Sequence, residues 1–147
     1  MEDASWRILL YLSLAGLGLS SYLAAVSFVT ADLSFCEPHP LLSCEAVIYS
    51  PYSRLLGIPV ALIAAVGFAA LFTVSYGALM IGGPLTVRLV YTASGLSIAG
   101  LSFGGYLTFL ELFVIGSLCL LCLASFLVIV PMALLSVRGL LSSTVAS

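Results

Sequence analysis

The sequence predicts an all-α integral membrane protein, a four-transmembrane-helix bundle with a cysteine-bearing extracytoplasmic loop and a short surface helix. Of its 147 residues, 63% are hydrophobic and 7% are charged, and the mean hydropathy is +1.30. Soluble domains carry about 25% charged residues, so an ordinary globular core is excluded. The charged residues leave four uncharged runs, each as long as the roughly 20 residues that a membrane-crossing helix needs. These runs are 8–31, 55–87, 89–110 and 112–137.

The runs predict four membrane spans within a single membrane domain that covers residues 1–147. The second span is expected to stop early, because the Gly-Gly-Pro sequence at 82–84 cannot continue a helix. The first run is longer than the hydrophobic part of a signal peptide, and the charged end before it is acidic, with Glu2 and Asp3 ahead of Arg7, so we expect it to be retained. The predicted spans lie near 8–30, 55–80, 87–110 and 113–136, and the predicted loop is 31–54.

The distribution of arginine predicts how the chain crosses the membrane. With four spans, Arg7, Arg88 and Arg138 share the side of the two termini, and Arg54 is on the side of the loop. Cytoplasmic loops carry an excess of basic residues. We therefore expect a multi-pass protein of the plasma membrane with both termini cytoplasmic and the loop outside, where disulfides persist. Because only four arginines decide this orientation, the inverted one is left open.

The 31–54 loop holds one pair of cysteines. Cys36 lies beside two prolines, which predict a restrained, exposed and non-helical segment. Ser43 is a suitable N-cap for a short helix that begins at Cys44. Cys44, Val47 and Ile48 then share one apolar face, which could lie on the membrane surface above the bundle.

A second pair of cysteines has the CxxC spacing at the start of the last predicted span. At positions i and i+3, Cys119 and Cys122 would share one helix face. The predicted topology puts these first turns on the same side of the membrane as Cys36 and Cys44. Two thiol pairs that can meet predict thiol–disulfide exchange, in which a thiolate attacks a disulfide sulfur.

Each pair taken alone also has a plainer interpretation. Cys36 and Cys44 could form a static disulfide that closes the loop, and Cys119 and Cys122 could be small buried apolar residues. A zinc site built from the four cysteines is disfavoured, because two of its ligands would have to leave the membrane edge. We therefore expect no metal.

Several motifs in a fixed order resemble a known family. They are Cys36-x7-Cys44, Ser50-Pro51-Tyr52-Ser53-Arg54-Leu55-Leu56-Gly57-Ile58-Pro59-Val60-Ala61, Tyr106-Leu107 with Glu111, and Cys119-Leu120-Leu121-Cys122-Leu123-Ala124-Ser125. This set resembles the vitamin K epoxide reductase family in its bacterial and archaeal branch, in the form without a fused thioredoxin-like domain. The resemblance covers residues from about 20 to 130.

The resemblance implies a four-helix bundle around a quinone and a role for each cysteine. Cys36 would exchange with a reduced thioredoxin-like partner, and Cys44 would receive the electrons from Cys36. Cys44 would then attack the Cys119–Cys122 disulfide at Cys119, leaving Cys122 as the thiolate that faces the quinone. The implied reaction oxidises a partner dithiol, reduces a quinone of the ubiquinone or menaquinone type, and supports disulfide-bond formation.

The sequence departs from the family pattern in one position that matters for quinone binding. Animal members hold a quinone oxygen with an asparagine in the second span, and this sequence contains no asparagine. Tyr106 and Ser125 are the candidates to replace it, and Cys122 would also contact the ring. Few residues follow the last predicted span, so we expect the thioredoxin-like partner to be a separate protein.

Two function classes follow from these observations. The first is a membrane thiol:quinone oxidoreductase. The second is a small four-span structural protein or transporter subunit with a stabilising loop disulfide. Small multidrug exporters of this size rely on a carboxylate within the membrane, whereas here the first predicted span has none and Glu111 lies at the mouth between the last two spans, which disfavours a transporter. A structural protein would leave the CxxC pair on the side of the loop as a coincidence. No feature of the sequence indicates nucleic-acid binding.

Overall fold

The computed structural model describes residues 3–29 and 40–146, and its helices confirm the predicted architecture. Four of them are long and apolar enough to cross a membrane. In chain order the helices are α1 (Asp3–Phe28), the short α2 (Cys44–Ile48), α3 (Val60–Ile81), α4 (Leu85–Leu110) and α5 (Leu120–Ala146).

The four long helices form a closed ring. Helix α1 packs on α3, α3 on α4, α4 on α5, and α5 again on α1. The short connection between α3 and α4 makes these two helices antiparallel. The last turn of α1, the first turn of α3, the last turn of α4 and the first turn of α5 therefore lie at the same end of the bundle.

A small substructure of residues 40–59, here called the cap, lies at this end. It contains α2, a 3-10 turn (Pro51–Ser53) and a hairpin of two short strands, β1 (Arg54–Leu55) and β2 (Ile58–Pro59). The hairpin turn has positive φ at both central residues, 54° at Leu56 and 83° at Gly57. Such a turn matches the twist of paired strands, and glycine adopts it without strain.

The helix bounds differ from the predicted spans at four places, one of which is the end of α5, at Ala146 and not near 136. Helix α1 begins at Asp3, before the predicted residue 8. Helix α3 begins at Val60 and not near 55, because the hairpin uses the preceding residues as strands. Helix α5 begins at Leu120 and not near 113, because Glu111–Ile115 forms a π-helical turn that stops at Gly116. Hydropathy alone cannot reveal these breaks, since the residues involved are mostly apolar.

The centre of the bundle is closely packed. Its buried apolar cluster consists of Trp6, Leu9, Phe68, Leu71, Ala78, Val90, Ala93, Ile129 and Met132. Buried serines join α4 to α5 within it: the Ser94 hydroxyl donates to the Ser136 carbonyl at 2.9 Å, and the Ser97 and Ser136 hydroxyls are 3.3 Å apart. Hydroxyl groups of this kind hydrogen-bond helices together in lipid.

Small residues set the distance between neighbouring helices. Gly16 of α1 lies directly against the ring of Phe68 in α3. On the opposite side of the ring of helices, Gly104 of α4 receives the ring of Phe126 from α5. A glycine at such a contact lets two helices approach closely.

We predict that Gly16→Ala destabilises the bundle. The added methyl group would overlap the Phe68 ring, and overpacking of this kind typically costs about 1–3 kcal/mol. The matched control is Gly18→Ala in the same helix, where the new methyl group has no neighbour within 4 Å. Thermal unfolding of the purified protein in detergent should show a lower midpoint for Gly16→Ala alone. Equal midpoints for the two variants would contradict the packing described here.

Candidate redox site

Helix α2 begins at Cys44, as the N-cap residue Ser43 predicted. Ser43 has extended backbone angles, and its hydroxyl accepts a hydrogen bond from the Ala46 N–H at 3.2 Å. At the other end of the helix the Tyr49 N–H donates to the Glu45 carbonyl at 3.0 Å. The predicted apolar face is confirmed, because Cys44, Val47 and Ile48 are the buried residues of α2.

The cap is attached to the last turn of α1. The buried face of α2 packs on Leu23 and Val26. The Tyr49 hydroxyl donates to the Val26 carbonyl at 3.5 Å, and the Arg54 guanidinium donates to the Ser27 carbonyl at 3.3 Å. The last carbonyl groups of a helix have no hydrogen-bond donor within the helix. Tyr49 and Arg54 supply donors for two of these carbonyl groups of α1.

A short stretch of backbone pairing connects the cap to the segment before α5. Leu42 and Leu118 form a parallel bridge. The Leu118 N–H donates to the Leu41 carbonyl at 2.9 Å, and the Ser43 N–H donates to the Leu118 carbonyl at 3.0 Å. Because each cysteine follows this bridge by one or two residues, the pairing brings Cys44 beside Cys119.

The sulfur atoms of Cys44 and Cys119 are 3.4 Å apart. Both residues are fully buried, with 0% of their surface exposed. Cys44 takes part in a disulfide, whereas Cys119 and Cys122 are free thiols. Reacting atoms held about 3–3.5 Å apart are close to the geometry of reaction. The site is therefore arranged for exchange between a disulfide at Cys44 and the thiol of Cys119.

The CxxC pair lies at the start of α5, with Cys119 immediately before the helix and Cys122 in its first turn. The Cys122 N–H donates to the Cys119 sulfur at 3.3 Å, so this sulfur is a hydrogen-bond acceptor at the N-terminus of α5. A hydrogen bond from the Cys122 thiol, aided by backbone N–H groups, lowers the pKa of the Cys119 thiol, although burial opposes this. A lower thiol pKa favours the thiolate, which is both the attacking and the leaving species in exchange.

Glu111 joins the end of α4 to the CxxC pair. It opens the π-helical turn, and its carbonyl accepts the Ser117 N–H at 3.1 Å. Gly116 reverses the chain with φ 74°, a conformation that glycine adopts readily. The Glu111 side chain is 5% exposed, and its Oε2 accepts the Cys119 N–H at 3.3 Å.

A cavity of about 320 Å³ lies below the cap, between the four long helices. Its walls are mostly apolar, with Leu23, Phe68 and Phe103 among them. Cys122 and Glu111 both line it. The cavity therefore places an apolar binding space next to one member of the CxxC pair.

The predicted site residues lie partly at the thiol contact and partly at the cavity. It brings Cys44 and Cys119 into contact and puts Cys122 at the cavity, while Cys36 lies outside the described residues. Ser125 also lines the cavity, and its hydroxyl donates to the Leu121 carbonyl at 3.1 Å. Tyr106 is 59% exposed and does not line this cavity, because it lies on a different face of α4 from the glycines that meet α5.

Two polar residues of the site were not assigned a role from the sequence. Glu111 is a lone carboxyl between two uncharged runs, and that isolation was the available signal. Ser20 of α1 lines the cavity and is 1% exposed, and its hydroxyl has no hydrogen-bond partner among the described residues. No signal in the sequence separates Ser20 from the other serines of the spans.

Four membrane-crossing helices, a thiol pair at their edge and a second cysteine in contact with it define a membrane-embedded thiol–disulfide oxidoreductase. A family model described as "Vitamin K epoxide reductase family" matches residues 7–137. This is nearly the whole chain, and the chain therefore belongs to the vitamin K epoxide reductase family. The family in general uses quinones as electron acceptors and works with thioredoxin-like partners.

We predict that Leu118→Pro separates the two thiol pairs. Proline lacks the N–H that bonds to Leu41, and a hydrogen bond is worth about 1 kcal/mol. In a Cys122→Ser background, where Cys122 cannot attack Cys119 to resolve it, a Cys44–Cys119 mixed disulfide should accumulate. Leu118→Pro should reduce its yield at least about fivefold, measured by non-reducing peptide mapping.

The matched control is Leu118→Ala, which shortens the side chain but keeps both backbone hydrogen bonds. Its yield of mixed disulfide should stay close to that of the Cys122→Ser protein. Equal yields from the proline and alanine variants would contradict the role assigned to the backbone bridge.

Proposed function

We propose that the protein is a membrane thiol:quinone oxidoreductase that supports disulfide-bond formation. It would oxidise a separate thioredoxin-like protein through Cys36 and Cys44, and pass the electrons through Cys119 and Cys122 to a quinone. The observation that carries this proposal is the 3.4 Å separation of the Cys44 and Cys119 sulfur atoms. A static loop disulfide would need no contact with a second thiol pair.

The central step is an exchange between Cys44 and the oxidised CxxC pair. The Cys44 thiolate attacks the Cys119 sulfur, forming a Cys44–Cys119 bond. The Cys119–Cys122 bond breaks, and Cys122 leaves with the electron pair. Cys119 suits the point of attack, because its sulfur is the atom of the CxxC pair that contacts Cys44.

A second exchange completes the transfer. The Cys36 thiolate attacks Cys44 in the mixed disulfide, which forms a Cys36–Cys44 bond and releases Cys119 as a thiolate. The hydrogen bonds that lower the pKa of Cys119 make it a good leaving group. Cys119 and Cys122 then hold the two electrons that the partner dithiol has lost. The role of Cys36 rests on the family resemblance and on its position in the same loop of the sequence as Cys44.

The cavity below the cap suits a quinone ring. Its volume of about 320 Å³ and its apolar walls are typical of small-molecule sites. A bound quinone supplies an acceptor for two electrons and two protons. Cys122 lies at the wall as the donor thiol, and the Ser20 hydroxyl, which no described residue hydrogen-bonds, is available as a hydrogen-bond donor. Ser125 and the more distant Tyr106 remain proposals for the same purpose.

The proposed orientation in the membrane is based on the distribution of the four arginines. Both termini would face the cytoplasm, and the cap would face the outside of the plasma membrane, where newly exported proteins form disulfides. In this orientation the thioredoxin-like partner reaches the loop from the aqueous phase, while the quinone reaches the cavity from within the bilayer.

We predict that the purified protein in detergent reduces a quinone when it is supplied with a reduced thioredoxin-like protein. Cys119→Ala should lower the rate to that of the mixture without protein, because neither exchange can occur without this sulfur. The assay follows quinone absorbance, with ubiquinone and menaquinone analogues tested in parallel. Wild-type protein that is inactive with both quinones, although its thiols are intact, would support a static disulfide.

A further inference from the structure

Glu111 is a charged residue in a place where charge is costly. Among the described residues it is the one acidic or basic side chain that is buried. A buried carboxylate loses its hydration and needs a compensating partner. A carboxyl group in this position therefore calls for a chemical explanation.

The Glu111 carboxyl lies next to both cysteines of the CxxC pair. Oε2 accepts the Cys119 N–H at 3.3 Å, and the carboxyl also interacts with the Cys122 thiol. No cationic group of the described chain acts on it. Arg54 of the cap is exposed and donates to the end of α1 instead. Within the described part of the cap, the other titratable side chains are Cys44 and the exposed Glu45, Tyr49 and Tyr52.

The exchange reaction creates a need for a proton donor at this place. When Cys44 attacks Cys119, Cys122 leaves as a thiolate next to an apolar cavity. A thiolate without a cation or a proton donor would be strongly destabilised there. A carboxyl that carries a proton can donate a hydrogen bond, or the proton itself, to that sulfur.

We propose that Glu111 positions the CxxC pair and carries the proton that neutralises Cys122 when the Cys119–Cys122 bond breaks. One carboxyl oxygen holds the Cys119 N–H, and the other delivers the proton to the Cys122 sulfur. The proton released by the Cys44 thiol reloads Glu111, so in this step the Cys44–Cys119 bond forms, the Cys119–Cys122 bond breaks with its electron pair going to Cys122, and one proton moves from Cys44 to Cys122. This inference rests on the proposed function, because it assumes that Cys44 and Cys119 exchange.

The plainer role for Glu111 would be a structural one, in which its oxygen simply fastens the loop to α5. Glu111→Gln distinguishes the two roles. The glutamine keeps an oxygen that can accept the Cys119 N–H, but it has no proton to exchange. Glu45→Gln is the matched control, because it removes an exposed carboxyl from the other side of the thiol contact.

The first readout is infrared difference spectroscopy of the quinone-free protein between its disulfide and dithiol states. The wild-type spectrum should contain a band of a protonated carboxyl that shifts in D₂O, since the surroundings of Glu111 change with the redox state. The band should disappear in Glu111→Gln and remain in Glu45→Gln. No carboxyl band in the wild type, or a band that persists in Glu111→Gln, would overturn the proposal.

The second readout is the rate at which a small dithiol reduces the Cys119–Cys122 disulfide through Cys44, without quinone. General acid catalysis typically contributes at least about 10²-fold, so Glu111→Gln should slow this step by that factor. Its thermal midpoint should match that of the wild type, since the hydrogen bond to Cys119 is kept. A wild-type rate in Glu111→Gln would leave only the structural role.

These readouts separate this inference from the proposed function. If the infrared band and the slow exchange depend on Glu111 while the wild type reduces no quinone, the thiol chemistry stands and the proposed acceptor is wrong. If the wild type reduces quinone and Glu111→Gln does so equally well, the oxidoreductase stands and the role of Glu111 is wrong.

Discussion

The contact between the two thiol pairs depends on two backbone hydrogen bonds of Leu118. They hold the cap residues Leu41 and Ser43 against the segment before α5, and the side chains that follow are Cys44 and Cys119. The cap also hydrogen-bonds to the end of α1 through Tyr49 and Arg54, and the buried face of α2 packs on residues of α1, α3 and α5. Helix α2, which follows this bridge in the chain, also forms part of the cavity wall.

The bridge is possible because the chain stops being helical between α4 and α5. Backbone outside a helix is tolerated at membrane depth only where its polar groups find partners within the protein. The π-helical turn at Glu111–Ile115 and the reversal at Gly116 free the backbone of Leu118 for the cap. Glu111 supplies partners on both sides of this break, through its carbonyl to Ser117 and through its side chain to Cys119. Glu111 therefore both stabilises the non-helical segment and lies beside the CxxC pair.

Sequence reasoning predicted those features that depend on composition or on local chemistry. Charge-free runs predicted four spans, and Ser43 predicted where α2 begins. The spacing of the cysteines predicted that the pairs could meet, and Cys44 and Cys119 do so. The π-helical turn, the burial of Glu111 and the burial of Ser20 at the cavity could not be predicted, because each depends on contacts between segments far apart in the chain. Hydropathy reports the length of an apolar run but not where its helix is interrupted.

The most direct test of the account is a single transfer of electrons between the two thiol pairs. Fully oxidised, quinone-free protein would be mixed with one equivalent of a reduced thioredoxin-like protein, and the free thiols at Cys119 and Cys122 counted by alkylation and mass spectrometry. The account predicts that both thiols appear in the wild type and that neither appears in Cys44→Ser. Reduction of Cys119 and Cys122 at the wild-type rate in Cys44→Ser would contradict it, because electrons would then reach the CxxC pair without the contact at 3.4 Å.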